Sequence, residues 1–134
     1  MKRLWGMVLA AAMGFAAPVT ADPLEGLWQT PADAKGRYAQ MQIGECEDQP
    51  GLMCGVITGV FDAKGELPDA IDRGRTVMQG MQPVDTGIYT NGYVIAPNTQ
   101  NRLQGNATLV GDDLLRVEGC IPMMCKTEEL SRVR

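Results

Sequence analysis

The sequence predicts an all-β protein, folded as a small antiparallel barrel or sandwich of seven or eight short strands. Apolar and polar residues alternate with a period of two in several segments, and no segment shows the spacing of an amphipathic helix. The 16 glycines and 8 prolines of the 134-residue chain separate these segments into short runs. No crossover helix lies between them, so consecutive strands are expected to pair antiparallel, and closing the sheet would remove its exposed edges.

The N-terminal segment precedes the predicted strands and has the pattern of an export signal. Lys2 and Arg3 are followed by Leu4–Ala17, an apolar stretch of 14 residues that suits a signal core and is short for a membrane span. Val19-Thr20-Ala21 offers small or medium residues at the positions that a signal peptidase reads. Cleavage after Ala21 would release the mature chain into the periplasm or the medium. An uncleaved N-terminal anchor is the alternative.

The mature chain, residues 22–134, is expected to be a single domain with no further membrane-spanning segment. Its alternating segments predict strands at Gly26–Thr30, Arg37–Ile43, Cys54–Phe61, Gly92–Ala96, Arg102–Leu109, Leu115–Gly119 and Lys126–Arg134. The segment Arg75–Met81 fits either a strand or a single helical turn. The clearest hairpin turns at Gly111–Asp113, because glycine tolerates a positive φ and aspartate bonds its own backbone.

The segment 62–74 differs from the rest of the mature chain because it is rich in charge, glycine and proline. It reads Asp-Ala-Lys-Gly-Glu-Leu-Pro-Asp-Ala-Ile-Asp-Arg-Gly, and we expect it to form a long surface loop over one end of the sheet. Loops of this length are either solvated connections or functional lids, and the sequence leaves both readings open.

Composition excludes several classes of function. The chain contains no histidine, which removes Ser-His-Asp and Cys-His catalysis and every zinc site that needs imidazole. Without the two basic residues of the signal, ten basic and all sixteen acidic residues remain, and a net charge of −6 argues against nucleic-acid binding. The acid pairs Asp112–Asp113, at a hairpin tip, and Glu128–Glu129, on opposite faces of a strand, are expected to be solvated. No enzyme activity, cofactor or metal ligand set is predicted.

Four cysteines remain in the mature chain, and an even number in a short exported protein predicts a disulfide framework. Three pairings are possible. The spacings C-x7-C and C-x4-C both suit a hairpin, which favours Cys46–Cys54 and Cys120–Cys125. A zinc site is the alternative, although neither spacing is the C-x2-C of a metal knuckle.

Six methionines survive removal of the signal, and three of them lie beside or near a cysteine. These are Met53, which precedes Cys54, and Met123 and Met124, which precede Cys125. Thioether and thiolate ligands select Cu(I), which gives one hypothesis for an exported protein. The other is that methionine fills irregular gaps in a small core with few aromatic residues. Disulfides would leave no thiolate for the metal.

Short motifs spread over nearly the whole mature chain resemble the bacterial family called domain of unknown function 2147, a group of small exported proteins. In order they are Gly26-Leu27-Trp28 with Thr30, Cys54-Gly55-x-Ile57, Arg75 to Gly80-Met81, Gly92-x-Val94 up to Pro97, Leu115-x-Val117-x-Gly119-Cys120 and Arg132-Val133. The resemblance implies an up-and-down barrel of the lipocalin and streptavidin type. The chain departs from the family pattern at Pro68–Asp72, Ala96, Gln100–Leu103 and Leu130, so several polar residues that could carry a shared activity are missing.

In barrels of the lipocalin type, a tryptophan near the start of the first strand closes the base, and an arginine late in the last strand packs over it. The resemblance assigns these two roles to Trp28 and Arg132. A guanidinium stacked on an indole contributes roughly 0.5–2 kcal/mol.

The barrel implies a binding module that holds a small apolar ligand at its open end. The residues expected to line such a site are Tyr38, Met41, Ile57 and Tyr93. The alternative is a structural or envelope-interaction protein whose barrel is filled and whose surface carries the function. An apolar pocket with a few polar groups would favour the first hypothesis, and a core without a void would favour the second.

Overall fold

The computed structural model describes residues 22–95 and 101–134, and these form nine β-strands and no helix. The predicted signal (residues 1–21), its cleavage point after Ala21, and Ala96 lie outside these ranges. The strands are β1 (Gly26–Gln29), β2 (Tyr38–Cys46), β3 (Gln49–Asp62), β4 (Gly65–Glu66), β5 (Thr76–Asp85), β6 (Ile88–Ile95), β7 (Arg102–Val110), β8 (Leu114–Ile121) and β9 (Met124–Arg132). None of the described residues belongs to a helix long and apolar enough to cross a membrane.

The strands pair antiparallel, and the two ends of the sheet meet. Their order is β2-β1-β9-β8-β7-β6-β5-β3-β4, and a further pairing between β2 and β3 closes eight strands into a barrel. The ninth, β4, is a two-residue addition to β3 within the predicted 62–74 loop. Because hairpins and loops join the strands, order along the chain becomes order around the barrel. The predicted up-and-down barrel is confirmed, and a sandwich is excluded.

β5 and β6 are longer than predicted. β5 runs to Asp85 and β6 begins at Ile88, so a tight hairpin joins them. Gly87 supplies the positive φ of 73° that this turn requires. The apolar–polar alternation is interrupted in this part of the sequence. The register of β5 with β6 shifts next to Pro83, which has no N–H to donate. The segment Arg75–Met81 therefore belongs to a strand and not to a helical turn.

Side chains from most of the strands fill the barrel interior. The buried core consists of Leu24, Trp28, Met41, Ile43, Met53, Met78, Met81, Tyr89, Val94, Ala107, Leu115 and Leu130. Four of these are methionines, whose unbranched thioethers adapt to irregular gaps. Methionine is thus a core filler at four of its six positions after residue 21, and Met123 and Met124 are exposed.

Buried glycines make room for the methionines. A Cβ built on Gly55 would lie 3.3 Å from Sδ of Met41. A Cβ on Gly92 would collide with Sδ of Met81 and lie 2.6 Å from the carbonyl oxygen of Gln79, closer than side chains approach in real structures. The absence of a side chain on one strand therefore creates the volume that a thioether from another strand occupies, and the barrel stays narrow.

The first and last strands meet at the base of the barrel, where Trp28 is the register partner of Arg132. The indole is buried and donates from Nε1 to the carbonyl oxygen of Leu24, 2.9 Å away. The central guanidinium carbon of Arg132 lies 4.3 Å from the centroid of the Trp28 ring. The structure thus contains the stacked pair that the resemblance implies.

The same guanidinium donates hydrogen bonds to three backbone carbonyls. Its Nε bonds Asp112 at 2.7 Å, one Nη bonds Glu25 at 3.1 Å, and the other bonds Pro23 at 2.7 Å. Asp112 belongs to the β7–β8 turn, and the other two carbonyls precede β1. Arg132 therefore ties the last strand to two further segments, which the planar fork of arginine permits and a lysine ammonium does not reproduce.

The segment before β1 closes the base below the core. Leu24 is fully buried, and Asp22 accepts hydrogen bonds from the Tyr89 hydroxyl and, at 2.9 Å, from the backbone N–H of Leu24. Burial raises the pKa of Tyr89 well above its usual range, so its hydroxyl remains a donor to the Asp22 carboxylate.

We expect Arg132→Ala to lower the free energy of unfolding by about 1–3 kcal/mol, because it removes the stack, the packed aliphatic stem and three hydrogen bonds. Arg132→Lys should recover only part of this loss. Urea unfolding followed by the emission of Trp28, the single tryptophan after residue 21, measures both variants. Arg134, whose ion pair with Asp113 is exposed, is the control, and Arg134→Ala should change stability by less than about 0.5 kcal/mol. Equal effects at positions 132 and 134 would contradict the role of the stack.

A second prediction concerns the fit between glycine and methionine. Gly92→Ala should destabilise the fold by about 1–3 kcal/mol, because its Cβ meets Met81 and the backbone of Gln79. Gly44→Ala is the matched control, since the nearest atom to its Cβ is Oε1 of Glu25 at 3.8 Å, an ordinary contact. Thermal and urea unfolding measure the stability of both variants. If Gly92→Ala were as stable as the parent, the core would have spare volume and the prediction would be wrong.

Candidate functional site at the open end

The antiparallel order places alternate connections at opposite ends of the barrel. The β2–β3, β5–β6 and β7–β8 turns lie at the base with Trp28 and Arg132. The β1–β2 loop, the connection from β3 to β5 and the β8–β9 turn lie at the other end, which we call the open end. Ligand sites in small barrels form at the mouth, so a ligand site is expected at the open end.

A groove of about 400 Å³ lies at the open end, between the start of β2 and the connection from β3 to β5. Five apolar residues and three charged ones line it: Val60, Leu67, Pro68, Ala70, Ile71, Arg37, Asp69 and Asp72. Its volume falls within the roughly 300–1,000 Å³ of small-molecule sites, and its lining combines apolar side chains with charged ones.

Hydrogen bonds to β3 position the loop wall of this groove. The N–H of Leu67 donates to the carbonyl of Val60 at 2.8 Å, and the N–H of Gly74 donates to Ile57 at 2.8 Å. Between these anchors, Asp72 forms an ion pair with Arg75 at 3.2 Å. The predicted long loop is therefore docked along a strand, and its tip presents Ile71, which is 94% exposed.

A short turn in the β1–β2 loop positions Arg37 on the other side of the groove. Oδ1 of Asp33 accepts the backbone N–H groups of Lys35 at 2.8 Å and Arg37 at 2.9 Å. The hydrogen bond from Arg37 lowers the pKa of Asp33, which keeps the carboxylate ionised and the turn closed. The turn thus fixes the backbone of Arg37, an exposed residue that borders the groove.

The structure separates the four residues that were expected to line a ligand site. Met41 and Ile57 are register partners in the core, and both are buried. Tyr38 stacks on Phe61, with ring centroids 5.3 Å apart. Tyr93 is 52% exposed on the outside of the wall, because its neighbour Val94 points inward, and this is a correction to the expectation that it lines the lumen. None of the four borders the groove.

Tyr93 instead borders a smaller hollow of about 200 Å³ on the outer surface of β5, β6 and β7. The guanidinium carbon of Arg102 lies 5.9 Å from the centroid of the Tyr93 ring. This hollow is below the usual size of a small-molecule site, so the larger groove is the stronger candidate.

The structure contains two disulfides, one at each end of the barrel, and they have the local pairing that the cysteine spacing favours. Cys46–Cys54 joins β2 to β3 near the base, and Cys120–Cys125 joins β8 to β9 at the open end. No cysteine is free. The zinc alternative and the thiolate part of the Cu(I) hypothesis therefore lack their ligands while the bridges are intact. Met123 is 97% exposed at the tip of the second hairpin, where it is available but unaccompanied by thiolates.

One acid that was expected to be solvated points into the barrel near its open end. Glu128 on β9 is the register partner of Val117 on β8. Two positions further along, Leu130 and Leu115 form a second register pair that is buried, so Glu128 shares their inward face. Burial raises the pKa of Glu128, and the nearby charge of Lys126 opposes this shift only in part. The strand alternation carries this information in the sequence, since Leu130 and Glu128 are two positions apart.

Residues 26–132 match the model of a family described as "Uncharacterized protein conserved in bacteria (DUF2147)". The chain belongs to the DUF2147 family. This confirms the resemblance seen in its short motifs, from the Gly26-Leu27-Trp28 strand to Arg132. No curated protein matches the sequence.

A solved structure has the same fold as this DUF2147 protein. It is Protein HP1028 from the human pathogen Helicobacter pylori, which is described as belonging to the lipocalin family. The TM-score is 0.64 over 83% of each chain, at 15% sequence identity. A likeness at this identity shows the fold alone, and it establishes a lipocalin-like barrel.

Six of the eight groove residues lie in the 62–74 segment that the sequence indicated as a connection or a lid, but none of the eight was predicted to line a ligand site. The composition of the 62–74 segment was the available signal, since long loops often form binding sites. Nothing in the local pattern around Arg37 or Val60 indicated that they would face this loop. Their proximity depends on the pairing of β2 with β3, which joins positions far apart in the chain.

The half-buried position of Glu128 leads to a pH prediction. The folded protein holds the Glu128 proton more tightly than the unfolded chain does, so ionisation at neutral pH reduces stability. Glu128→Gln should therefore be more stable than the parent at neutral pH, and the difference should disappear below the pKa of the unfolded carboxyl. Urea unfolding across the acid range measures this. Glu129→Gln, which removes only an exposed ion pair with Arg116, should change stability by less than about 0.5 kcal/mol. An unchanged or less stable Glu128→Gln protein at neutral pH would contradict the prediction.

Proposed function

We propose that this DUF2147 protein is an exported small-molecule binding module that holds an apolar ligand in the groove at its open end. The groove itself is the observation that carries the proposal, because its volume and lining suit a small ligand. A lipocalin-like barrel is compatible with this role. The proposal assigns the protein no catalysis, since the chain has no histidine and no nucleophile–base pair can be named.

The exposure of Ile71 supports this use of the groove. A large β-branched side chain that is 94% exposed on a loop docked by hydrogen bonds gains nothing for the fold. Contact with an apolar ligand would remove that surface from water, which is favourable by about 25 cal/mol per Å². Arg37 and Asp69 at the rim would orient a polar end of the ligand.

Export to the periplasm or the medium is part of the proposal. The basic start at Lys2 and Arg3, the apolar stretch Leu4–Ala17 and the cleavage pattern before Asp22 support it. Two disulfides in a small domain are also typical of an oxidising compartment.

A second candidate function is a structural or envelope-interaction protein with a filled barrel. The packing of Met41, Met78 and Met81 against buried glycines favours it, because this packing leaves the deep interior to side chains. The same observation is the reason for proposing the ligand at the rim and not in the lumen.

Titration of the mature chain with anilinonaphthalenesulfonate, a fluorophore with an apolar aromatic body and one sulfonate group, tests the proposed site. We expect saturable binding of one molecule per chain, and Ile71→Ser should weaken it by at least about fivefold, equivalent to roughly 1 kcal/mol of lost apolar contact. Val84→Ser is the matched control, since Val84 is exposed on β5 towards the base, and it should leave the affinity unchanged.

Equal weakening by both serine variants, or the absence of saturable binding, would overturn the groove as the site. Native mass spectrometry of protein purified from its own source then separates the two candidates. A bound small molecule supports the binding module, and a bare chain that also fails to bind the fluorophore supports the filled barrel.

A further inference from the structure

The β8–β9 hairpin brings three potential metal ligands together at the open end. The donor atoms of Glu118, Cys120 and Cys125 all lie within 4.8 Å of one another. Glu118 and Cys120 are two residues apart on β8, so they share a face, and Oε1 of Glu118 is 3.4 Å from Sγ of Cys120. Cys125 is the register partner of Cys120 on β9.

In the oxidised protein the two sulfurs are bonded to each other and cannot ligate a metal as thiolates. This bridge is reachable from solvent, because Cys125 is exposed and Cys120 is half-buried. A dithiol reductant can therefore attack it. The S–S bond breaks as the dithiol supplies two electrons and two protons, Cys120 and Cys125 become thiols, and the reductant leaves as a disulfide.

The β8–β9 ladder keeps the two thiols adjacent after reduction. The strands pair without a register shift from Leu114 with Ser131 to Ile121 with Met124, so their alignment does not depend on the bridge. Glu118 lies within the same ladder, opposite Thr127. The reduced hairpin thus retains two sulfur donors and one carboxylate on a fixed two-stranded support.

We propose that reduction of Cys120–Cys125 converts this hairpin into a zinc site. Zn²⁺ is borderline-soft, prefers four tetrahedral ligands, and accepts cysteine sulfur and carboxylate oxygen. It would displace the two thiol protons and bind both thiolates and Glu118, with a water molecule in the fourth position. The oxidised hairpin offers only the carboxylate, so the bridge switches the site on and off.

The other disulfide provides an internal contrast. Cys46 is buried, and the register of β2 with β3 shifts beside it, between Glu45 and Cys46, so the two cysteines are not register partners as Cys120 and Cys125 are. The hairpin group is the one cluster of three such ligands found within residues 22–95 and 101–134. Zinc binding after reduction should therefore belong to the open-end hairpin.

Reduction of the mature chain with a phosphine, followed by titration with Zn²⁺ and with Co²⁺ as a spectroscopic probe, tests the inference. We expect one zinc per chain by native mass spectrometry and the thiolate charge-transfer and tetrahedral bands of Co²⁺. The oxidised chain should show neither. Glu118→Gln should weaken zinc binding by at least about tenfold. This is the smaller loss of affinity that follows removal of a residue that only orients a metal ligand, and Glu118 would be a ligand itself.

Two controls keep the result interpretable. Glu129→Gln removes an equal charge from the same hairpin and should bind zinc like the parent. The double variant Cys120→Ser with Cys125→Ser keeps Cys46 and Cys54 and should lose the Co²⁺ thiolate bands after reduction. Circular dichroism checks that each variant keeps its β structure.

Several results would overturn the proposal. The Cys120–Cys125 bridge could resist reduction in the folded chain, or both thiols could be released without zinc binding. The double serine variant could bind zinc as tightly as the parent, or Glu118→Gln could have the same zinc affinity as the parent. None of these outcomes bears on the ligand groove, because the fluorophore titration uses the oxidised protein.

Discussion

The contact between Trp28 and Arg132 is the constraint on which the closed barrel depends. β1 and β9 share only two register pairs, Trp28 with Arg132 and Gln29 with Ser131, so backbone hydrogen bonds contribute little to this seam. The guanidinium compensates because it stacks on the buried indole and bonds carbonyls from the N-terminal segment and the β7–β8 turn. An open sheet would expose two edges to other chains. A single side chain therefore connects the first strand, the last strand, the N-terminal segment and the β7–β8 turn.

Core packing then determines where a ligand can be held. An eight-stranded barrel either encloses a small ligand or is packed with side chains. In this protein Gly92 and Gly105 lie against Met81, so the thioether occupies volume that an apolar ligand would need. The base and the core provide stability, and the groove beside the 62–74 loop and the β8–β9 hairpin are left for recognition. Both proposals accordingly concern the open end.

Much of the fold could be predicted from the sequence because strand alternation and turn chemistry are local properties. The period-two pattern from Arg102 to Gly119 appears in the structure as β7 and β8, with every second residue directed inward. The β5–β6 hairpin was missed because Pro83 interrupts the alternation and the register shifts there. The pairing of Trp28 with Arg132 came from a family resemblance, since no local pattern links two distant strands.

The sequence by itself determined the fold class, the positions of most strands and the local disulfides, because hairpin spacing keeps Cys120 beside Cys125. Only the tertiary structure decided which side chains share the open end. Arg37 meets the 62–74 loop through the pairing of β2 with β3, and Tyr93 turns outward because Val94 points into the core. These properties depend on contacts between distant strands, which local patterns of polarity do not encode.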